Sequence, residues 1–326
     1  VTILSYGLLV ALLALLIAAF EMRRGSDVER PFGRGGSSPA GMAQHSGAVV
    51  AASGAVVSGL VTLAVLRDRT GSRALGIAHD WAFAPVVYAI YIQTHWVIGP
   101  LHLGRVADDA LIAIDRAMFG TEPVAWLGRL ARPWLTEIAQ VAYTLFYPLI
   151  LVIGGEIYAR CPRRDYYRFV FACATGFLAS YLGYLMVPAV GPRFTLYEFA
   201  ALDRDLPGVL LTPYLRAFVN AGGFVPSGLS REETLLLTQR DVFPSGHTLM
   251  TLVSMWWSWR LGLRVRWGVL VVGIVLIFAT VYLRYHYVVD VLAGAAVAAA
   301  GIWAVPPFYR WIVGGLQTRE SREPAP

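Results

Sequence analysis

Lysine is absent from this chain, so all 27 of its basic residues are arginine. Charge of either sign is also scarce: charged residues make up 15% of the 326 residues, and hydrophobic residues make up 57%. Soluble domains are nearer to about 25% charged. The composition therefore excludes an ordinary soluble domain, and the missing lysine limits the chemistry available.

Cysteine is almost absent as well. Cys161 and Cys173 are the only two cysteines, and neither belongs to a C-x-x-C motif. Neither a disulfide framework nor a zinc knuckle is therefore supported. The net charge of +6 comes from arginines in short loops beside apolar blocks. Such loops are topology signals, so we expect no nucleic-acid partner.

Long apolar blocks fill most of the chain. A bilayer-spanning helix needs roughly 20 apolar residues. The sequence predicts an all-α fold, a polytopic membrane helical bundle with about eight spans. The predicted spans lie near 1–20, 46–66, 82–101, 135–157, 166–187, 245–262, 266–283 and 287–305.

The basic loops set the predicted orientation. Arginine clusters at 67–73, 160–168 and 260–266 all lie on the cytoplasmic side in one consistent threading. Segment 188–244 and the Arg284–His286 corner then face outward. A cluster at 23–34 does not fit this threading, which leaves the first two helices unassigned in orientation. We expect a multi-pass protein of the cell membrane with its site on the outer face.

Three regions follow from these patterns. Residues 1–81 form two membrane helices and a Gly-, Ser- and Pro-rich connector, and 82–310 form the core. Within the core, 102–134 is too broken to span, and its stretch Ala107–Phe119 is predicted to lie along the membrane surface. Residues 311–326 form a polar tail, and the oligomeric state is left open.

His286 and Asp290 stand four residues apart, which places them on one helical face. A carboxylate there can hold the imidazole in one tautomer and make it nucleophilic. A polar pair that packs two helices is one alternative. A metal site is another, but it needs more ligands, and the neighbouring arginines would repel a cation. We expect neither a metal nor a cofactor.

Pro244-Ser245-Gly246-His247 opens an apolar helix 39 residues before His286. Backbone N–H groups at a helix start favour anions, which makes Ser245 and Gly246 candidate phosphate-binding residues. Pro226-Ser227-Gly228 repeats the tripeptide without a histidine, so the tripeptide alone can be a turn. His247 at a span end can be an interfacial residue, but together with the later His-x-x-x-Asp it becomes a catalytic candidate.

Arg193 and Arg284 both fall on the predicted outer side. Each can be a snorkelling residue at a span end. The positive-inside bias argues against that interpretation. A guanidinium fork suits phosphate oxygens, so the two arginines are the candidate phosphate clamp.

With these residues the chain resembles the type 2 phosphatidic acid phosphatase superfamily, whose core is six helices with three motifs at one membrane face. Pro244–His247 resembles the second motif, and His286-x-x-x-Asp290 resembles the end of the third. The resemblance implies that His286 attacks phosphorus, that Asp290 orients it, and that His247 protonates the leaving group.

The departures from the phosphatase pattern indicate a branch. The first motif lacks its lysine and reads Val187 to Arg193, and Thr280 stands where the third motif has arginine. This pattern, with the segment Asp115–Pro123, resembles the inositol phosphorylceramide synthases and their bacterial relatives.

The resemblance implies a metal-independent membrane enzyme acting on a phospholipid or lipid phosphate. We expect transfer of a phospho-head group, such as inositol phosphate, between lipids through a phosphohistidine. A lipid phosphate phosphatase that uses water as acceptor is the alternative within the same chemistry. A lipid transporter or scaffold on the same fold is the non-enzymatic alternative.

Overall fold

Apolar blocks punctuated by proline and glycine form helices throughout the computed structural model, which describes residues 39–102, 105–225, 234–235 and 237–320. Within those ranges no strand occurs. The chain divides into two units at Val106 and Ala107. The predicted span 1–20 and most of the predicted connector lie outside the described residues.

The first unit contains α1 (Pro39–Thr70), α2 (Arg73–Trp81) and α3 (Phe83–Leu101). Gly71 has a left-handed φ of 62°, which ends α1 where a side chain would be strained. The buried Ser53 hydroxyl donates to the Gln93 side-chain carbonyl at 2.8 Å and joins α1 to α3. The predicted helices at 46–66 and 82–101 correspond to α1 and α3.

The second unit begins with helices that lead to the bundle: α4 (Asp108–Phe119), α5 (Pro123–Gly128), α6 (Pro133–Thr144), α7 (Phe146–Arg160) and α8 (Arg163–Met186). Proline opens α5 and α6, where its missing N–H costs nothing. The segment that the sequence predicts to face outward follows, called the outer segment below, with α9 (Pro192–Thr195), a 3₁₀ turn (Phe199–Ala201), α10 (Leu202–Asp205) and α11 (Thr212–Gly222). The chain ends with α12 (Gly246–Arg260), α13 (Arg266–Tyr282) and α14 (Val288–Glu320).

Helix α12 is the centre of this unit and packs against α7, α8, α13 and α14. Glycine lets α14 approach the residue that precedes α12: a Cβ at Gly294 of α14 would come 2.5 Å from the Ser245 carbonyl oxygen. Helix α6 packs on α13, where the Thr136 and Tyr282 hydroxyls lie 2.9 Å apart in a buried hydrogen bond. These contacts bring the start of α12 beside the start of α14.

The predicted span 135–157 is two helices, α6 and α7, bent by 50°. Pro148 explains the bend, because its ring would clash with the carbonyl of Thr144, four residues earlier, in a continuous helix. The apolar block is long enough for one span, but it does not form one straight helix.

Among the described residues, four helices are long and apolar enough to cross a membrane, or five if the bent pair is one span. They cover Ala51–Thr70, Arg73–Gly99, Arg163–Met186 and Val288–Trp311. Helices α12 and α13 stand where spans are predicted but have only 15 and 17 residues. The helical membrane-type fold is confirmed, while the count of eight and the six-helix core stay predictions.

Candidate active site

His286 lies in a tight corner between α13 and α14. The backbone N–H groups of Tyr285 and His286 both donate to the Thr280 carbonyl, at 3.0 and 2.9 Å. Arg284 has a φ of 65°, an uncommon conformation for a residue with a side chain. Backbone strain of this kind persists where surrounding structure over-determines it, often at functional sites. The corner turns the His286 side chain inward, where it is buried.

Asp290 lies in the first turn of α14, directly behind the His286 ring. Its Oδ2 is 3.5 Å from His286 Nδ1 and accepts a hydrogen bond from the Tyr287 N–H at 2.8 Å. Within the described part of the chain, His286 Nδ1 has no hydrogen-bond partner. The i, i+4 spacing brings the two side chains together, but the hydrogen bond that would hold the imidazole in one tautomer is not formed in this arrangement.

His247 meets His286 across the starts of α12 and α14. Their ring centroids lie 5.6 Å apart. The ring of His247 is held between Tyr143, with centroids 4.5 Å apart, and Phe146, at 4.3 Å. The structure thus gathers His247, His286 and Asp290 at one place in the bundle.

Ser245 and Gly246 fix the start of α12. The Ser245 N–H donates to the Asp290 carbonyl at 3.0 Å, and its hydroxyl oxygen accepts from the Thr248 N–H at 3.2 Å. Gly246 lies so close to Tyr184 and Ser180 that no side chain would fit. Both residues have structural roles here, and their phosphate-binding role stays a prediction.

Arg193 is connected to His247 by a column of stacked aromatic rings. Its guanidinium carbon lies 4.5 Å from the Tyr285 ring centroid, Tyr285 stacks on Tyr143 at 4.2 Å, and Tyr143 stacks on His247. Its NH1 donates to Asn220 Oδ1 at 2.9 Å. Sequence reasoning missed the two tyrosines, because nothing in their local pattern marks them as ring partners of the site.

Arg284 is tied to Arg193 by the backbone but has different side-chain partners. The Arg193 N–H donates to the Arg284 carbonyl at 3.0 Å. The Arg284 guanidinium pairs with Asp205 at 2.9 Å and lies over the Tyr197 ring at 3.7 Å. This hydrogen bond from Arg284 lowers the pKa of Asp205 below its ordinary value. The structure thus places Arg193 at the far end of the ring column from His247 and holds Arg284 on a carboxylate of the outer segment.

Burial decides the charge of His286. Desolvation lowers its pKa from 6.5 to about 4, and Arg193 acts in the same direction. Asp241 and a hydrogen bond with the Val242 backbone act against this shift. At neutral pH the imidazole is therefore uncharged, which is the nucleophilic form.

Two buried carboxylates on α4 hold the site together, and sequence reasoning missed their role. Asp108 accepts from the N–H groups of Val190 and Gly191, at 3.0 and 2.8 Å, and from the Tyr287 hydroxyl at 2.7 Å. It thereby joins the loop before Arg193 to the corner that contains His286. Burial raises the pKa of Asp108, and these hydrogen bonds oppose that shift.

Asp115 caps the helix that contains Asp290. Its two oxygens accept from the N–H groups of Val288 and Val289, at 2.9 and 2.8 Å. Asp108 and Asp115 are seven residues apart, two helical turns on one face, and that spacing was the available signal. The prediction that Ala107–Phe119 lies along the membrane surface is still untested, but these two acids point inward.

Over the described residues, the fold and site define an all-helical protein with membrane-length apolar helices, in which the buried His286 meets the half-buried His247. A family model described as the PAP2 superfamily matches residues 109–304, more than half of the chain, and the chain belongs to that superfamily. The match includes every residue of the predicted site. No curated protein and no solved structure matches the chain.

Proposed function

We propose that the protein is a membrane enzyme that transfers a phospho-head group, such as inositol phosphate, between lipids through a phosphohistidine. Its superfamily comprises phosphatases and phosphotransferases in general, which supports chemistry on a lipid phosphate. One observation carries the assignment of roles: the rings of His286 and His247 lie 5.6 Å apart, with Asp290 behind His286. One phosphoryl group can then meet a nucleophile and a proton donor together.

The first half-reaction forms the covalent intermediate. The neutral His286 imidazole attacks phosphorus, and the bond from phosphorus to the leaving alcohol oxygen breaks. His247 gives a proton to that oxygen. Asp290 stabilises the positive charge that develops on the His286 ring.

The second half-reaction reverses these roles. An acceptor hydroxyl loses its proton to His247 and attacks phosphorus, and the phosphorus–nitrogen bond breaks to restore His286. Arg193 and Arg284 bind the phosphoryl oxygens, where fixed positive charge is most effective in a water-poor site. For Arg284 this requires the phosphate to share or replace Asp205.

The acceptor separates the two enzymatic candidates. An alcohol on a second lipid gives a transferase, and the departures from the phosphatase motifs at Val187–Arg193 and Thr280 favour this outcome. Water gives a lipid phosphate phosphatase. Membership of the superfamily is compatible with both.

The test is turnover of a radiolabelled phospholipid by detergent-purified protein, with an acceptor lipid present. We expect a new labelled phosphodiester lipid that is absent with His286→Ala. Free labelled phosphate in its place would make the protein a phosphatase. A well-folded protein that turns over none of a panel of phosphatidic acid, polyprenyl phosphate and phosphoinositide would support a transporter or scaffold.

A further inference from the structure

Helix α11 in the outer segment exposes an apolar face. Tyr214 and Phe218 are 74% and 68% exposed. Its charged residue, Arg216, points the other way: it is buried, pairs with Asp203 and donates to the Leu206 carbonyl at 3.0 Å. The exposed residues of α11 are Pro213, Tyr214, Ala217, Phe218 and Ala221.

The turn before α11 extends this face. Val209, Leu210 and Leu211 are 67%, 69% and 46% exposed. Together with the exposed residues of α11 they form what we call the α11 apolar face. Contiguous exposed apolar surface of this kind marks an interaction site with a protein or a membrane.

The position of α11 indicates which partner covers it. Glu137 of α6 accepts hydrogen bonds from the N–H groups of Val209 and Leu210, at 2.8 and 3.2 Å, and from the Thr212 hydroxyl at 2.7 Å. Glu137 is one turn into α6, about 6 Å along the axis from Pro133 at 1.5 Å per residue. The α11 apolar face therefore begins at the level where the bent α6–α7 span begins.

The same end of α6 has its own exposed apolar side chains. Trp134 is 60% exposed and Ile138 is 50% exposed. Tryptophan is enriched where membrane helices cross from lipid to water. The α11 apolar face thus continues a surface that already belongs to a candidate membrane span.

We propose that the α11 apolar face lies in the bilayer, at the boundary between headgroups and acyl chains. A helix with one apolar, aromatic face and its charge turned inward lies in this boundary because burial of the apolar side chains stabilises it there. The occupant is lipid, since the face continues the span surface and presents no charged residue of α11 for a protein partner to pair with.

A consequence follows for the site, and this step rests on the proposed function. Asn220 of α11 accepts the hydrogen bond from Arg193. Seating α11 in lipid therefore fixes the side chain that orients Arg193. We infer that contact with a lipid surface sets the phosphate-binding geometry.

The placement is tested by nitroxide labels on the full chain in liposomes. Cys161→Ser with Cys173→Ala gives the background, and single cysteines are introduced by Tyr214→Cys, Phe218→Cys and, as a control, Arg204→Cys. Arg204 lies in neighbouring α10 with its side chain 80% exposed. We expect oxygen to relax the labels at 214 and 218 more than a water-soluble nickel chelate does, and the reverse at 204. Chelate access at 214 and 218, or protection there from both reagents, would overturn the proposal in favour of water or a covering protein.

The coupling to the site is tested with Tyr214→Ser combined with Phe218→Ser. On lipid in vesicles we expect KM to rise at least tenfold, since loss of even one buried aromatic side chain corresponds to about a tenfold change in binding. On a short-chain phospholipid below its micellar concentration we expect no change. An equal loss on both substrates would overturn the coupling. Because the label measurement does not depend on turnover, failure of the proposed chemistry remains distinguishable from failure of this placement.

Discussion

The two halves of the candidate site are held by different kinds of partner. The histidine corner, formed by Pro244–His247 and Tyr285–Asp290, is fixed by backbone hydrogen bonds and by the buried carboxylates Asp108 and Asp115. The arginine pair, Arg193 and Arg284, is held by Asn220 and Asp205 from the outer segment.

This difference separates a preorganised part of the site, the histidine corner, from a part whose partners a phosphate can exchange, the arginine pair. The bonds of the histidine corner join backbone groups to each other and to carboxylates that are buried in the fold. The hydrogen-bond partners of the arginine pair are side-chain oxygens, the same kind of acceptor that a phosphate offers. The comparison predicts the largest losses from removal of the corner histidines, and graded, ligand-dependent effects from changes to the side chains that hold the arginines.

The largest effect should come from His286→Ala. We expect it to abolish turnover and the acid-labile covalent label that accumulates when the acceptor is withheld, because of the two site histidines it is His286 that has Asp290 beside it. His247→Ala should keep the label and slow release of the leaving group by roughly 10²–10⁴-fold, most for poor leaving groups. Label on His247 instead would reverse the two roles.

Removal of either arginine side chain should cost less. Arg193→Ala and Arg284→Ala should each lower kcat by roughly 10²–10³-fold, or about 3 kcal/mol, as loss of one oxyanion donor does in other enzymes. Arg129→Ala, an exposed arginine outside the site, is the control. If both site variants kept full turnover, the phosphate clamp would be wrong.

Asp108→Asn tests the preorganised part without touching a histidine. The amide keeps one acceptor but turns an N–H donor toward the backbone of Val190 and Gly191. We expect kcat to fall about tenfold with KM little changed, since charge-assisted hydrogen bonds contribute roughly 1.5–3 kcal/mol. Asp109→Asn, exposed on the same helix, should change nothing. An equal loss in both variants would remove the positioning role.

Much of this architecture follows from the sequence. Apolar length located the helices, and the spacing of His286 and Asp290 placed both on one face. The spacing of Asp108 and Asp115 places both on one face of α4, but an amphipathic helix pattern does not say what its polar side meets, so their inward direction was missed. The pairing of Arg284 with Asp205 joins residues 79 apart through tertiary packing, for which the local pattern holds no signal. The bend between α6 and α7 could have been predicted from Pro148.

The charge state of the corner gives a pH prediction. Because the pKa of His286 is lowered from 6.5 to about 4, the acid limb of kcat/KM that His286 controls should lie near pH 4. Between pH 4 and pH 6.5 the unfolded chain binds a proton on His286 that the folded chain does not bind. The contribution of His286 to the free energy of unfolding therefore rises with pH from 4 to 6.5 and is level above 6.5. An NMR titration of the His286 imidazole that gives a pKa near 6.5 would contradict this.

The smallest expected effect concerns Asp205, the carboxylate that competes with phosphate for Arg284. Asp205→Asn removes the negative charge but keeps the shape, so an anion should bind more tightly and KM should fall by roughly two- to fivefold, the range of a partly exposed ion pair. Asp203→Asn is the matched control, since Asp203 pairs with Arg216 in the same segment and leaves Arg284 alone. Arg284 lowers the pKa of Asp205, so Asp205 stays charged at pH values where an ordinary aspartate is protonated. The difference in KM between Asp205→Asn and the parent protein should persist at those pH values and vanish once the pH falls through the lowered pKa. A rise in KM with Asp205→Asn would mean that Asp205 orients Arg284 for the phosphate instead of competing with it, and the arginine pair would then be as preorganised as the histidine corner.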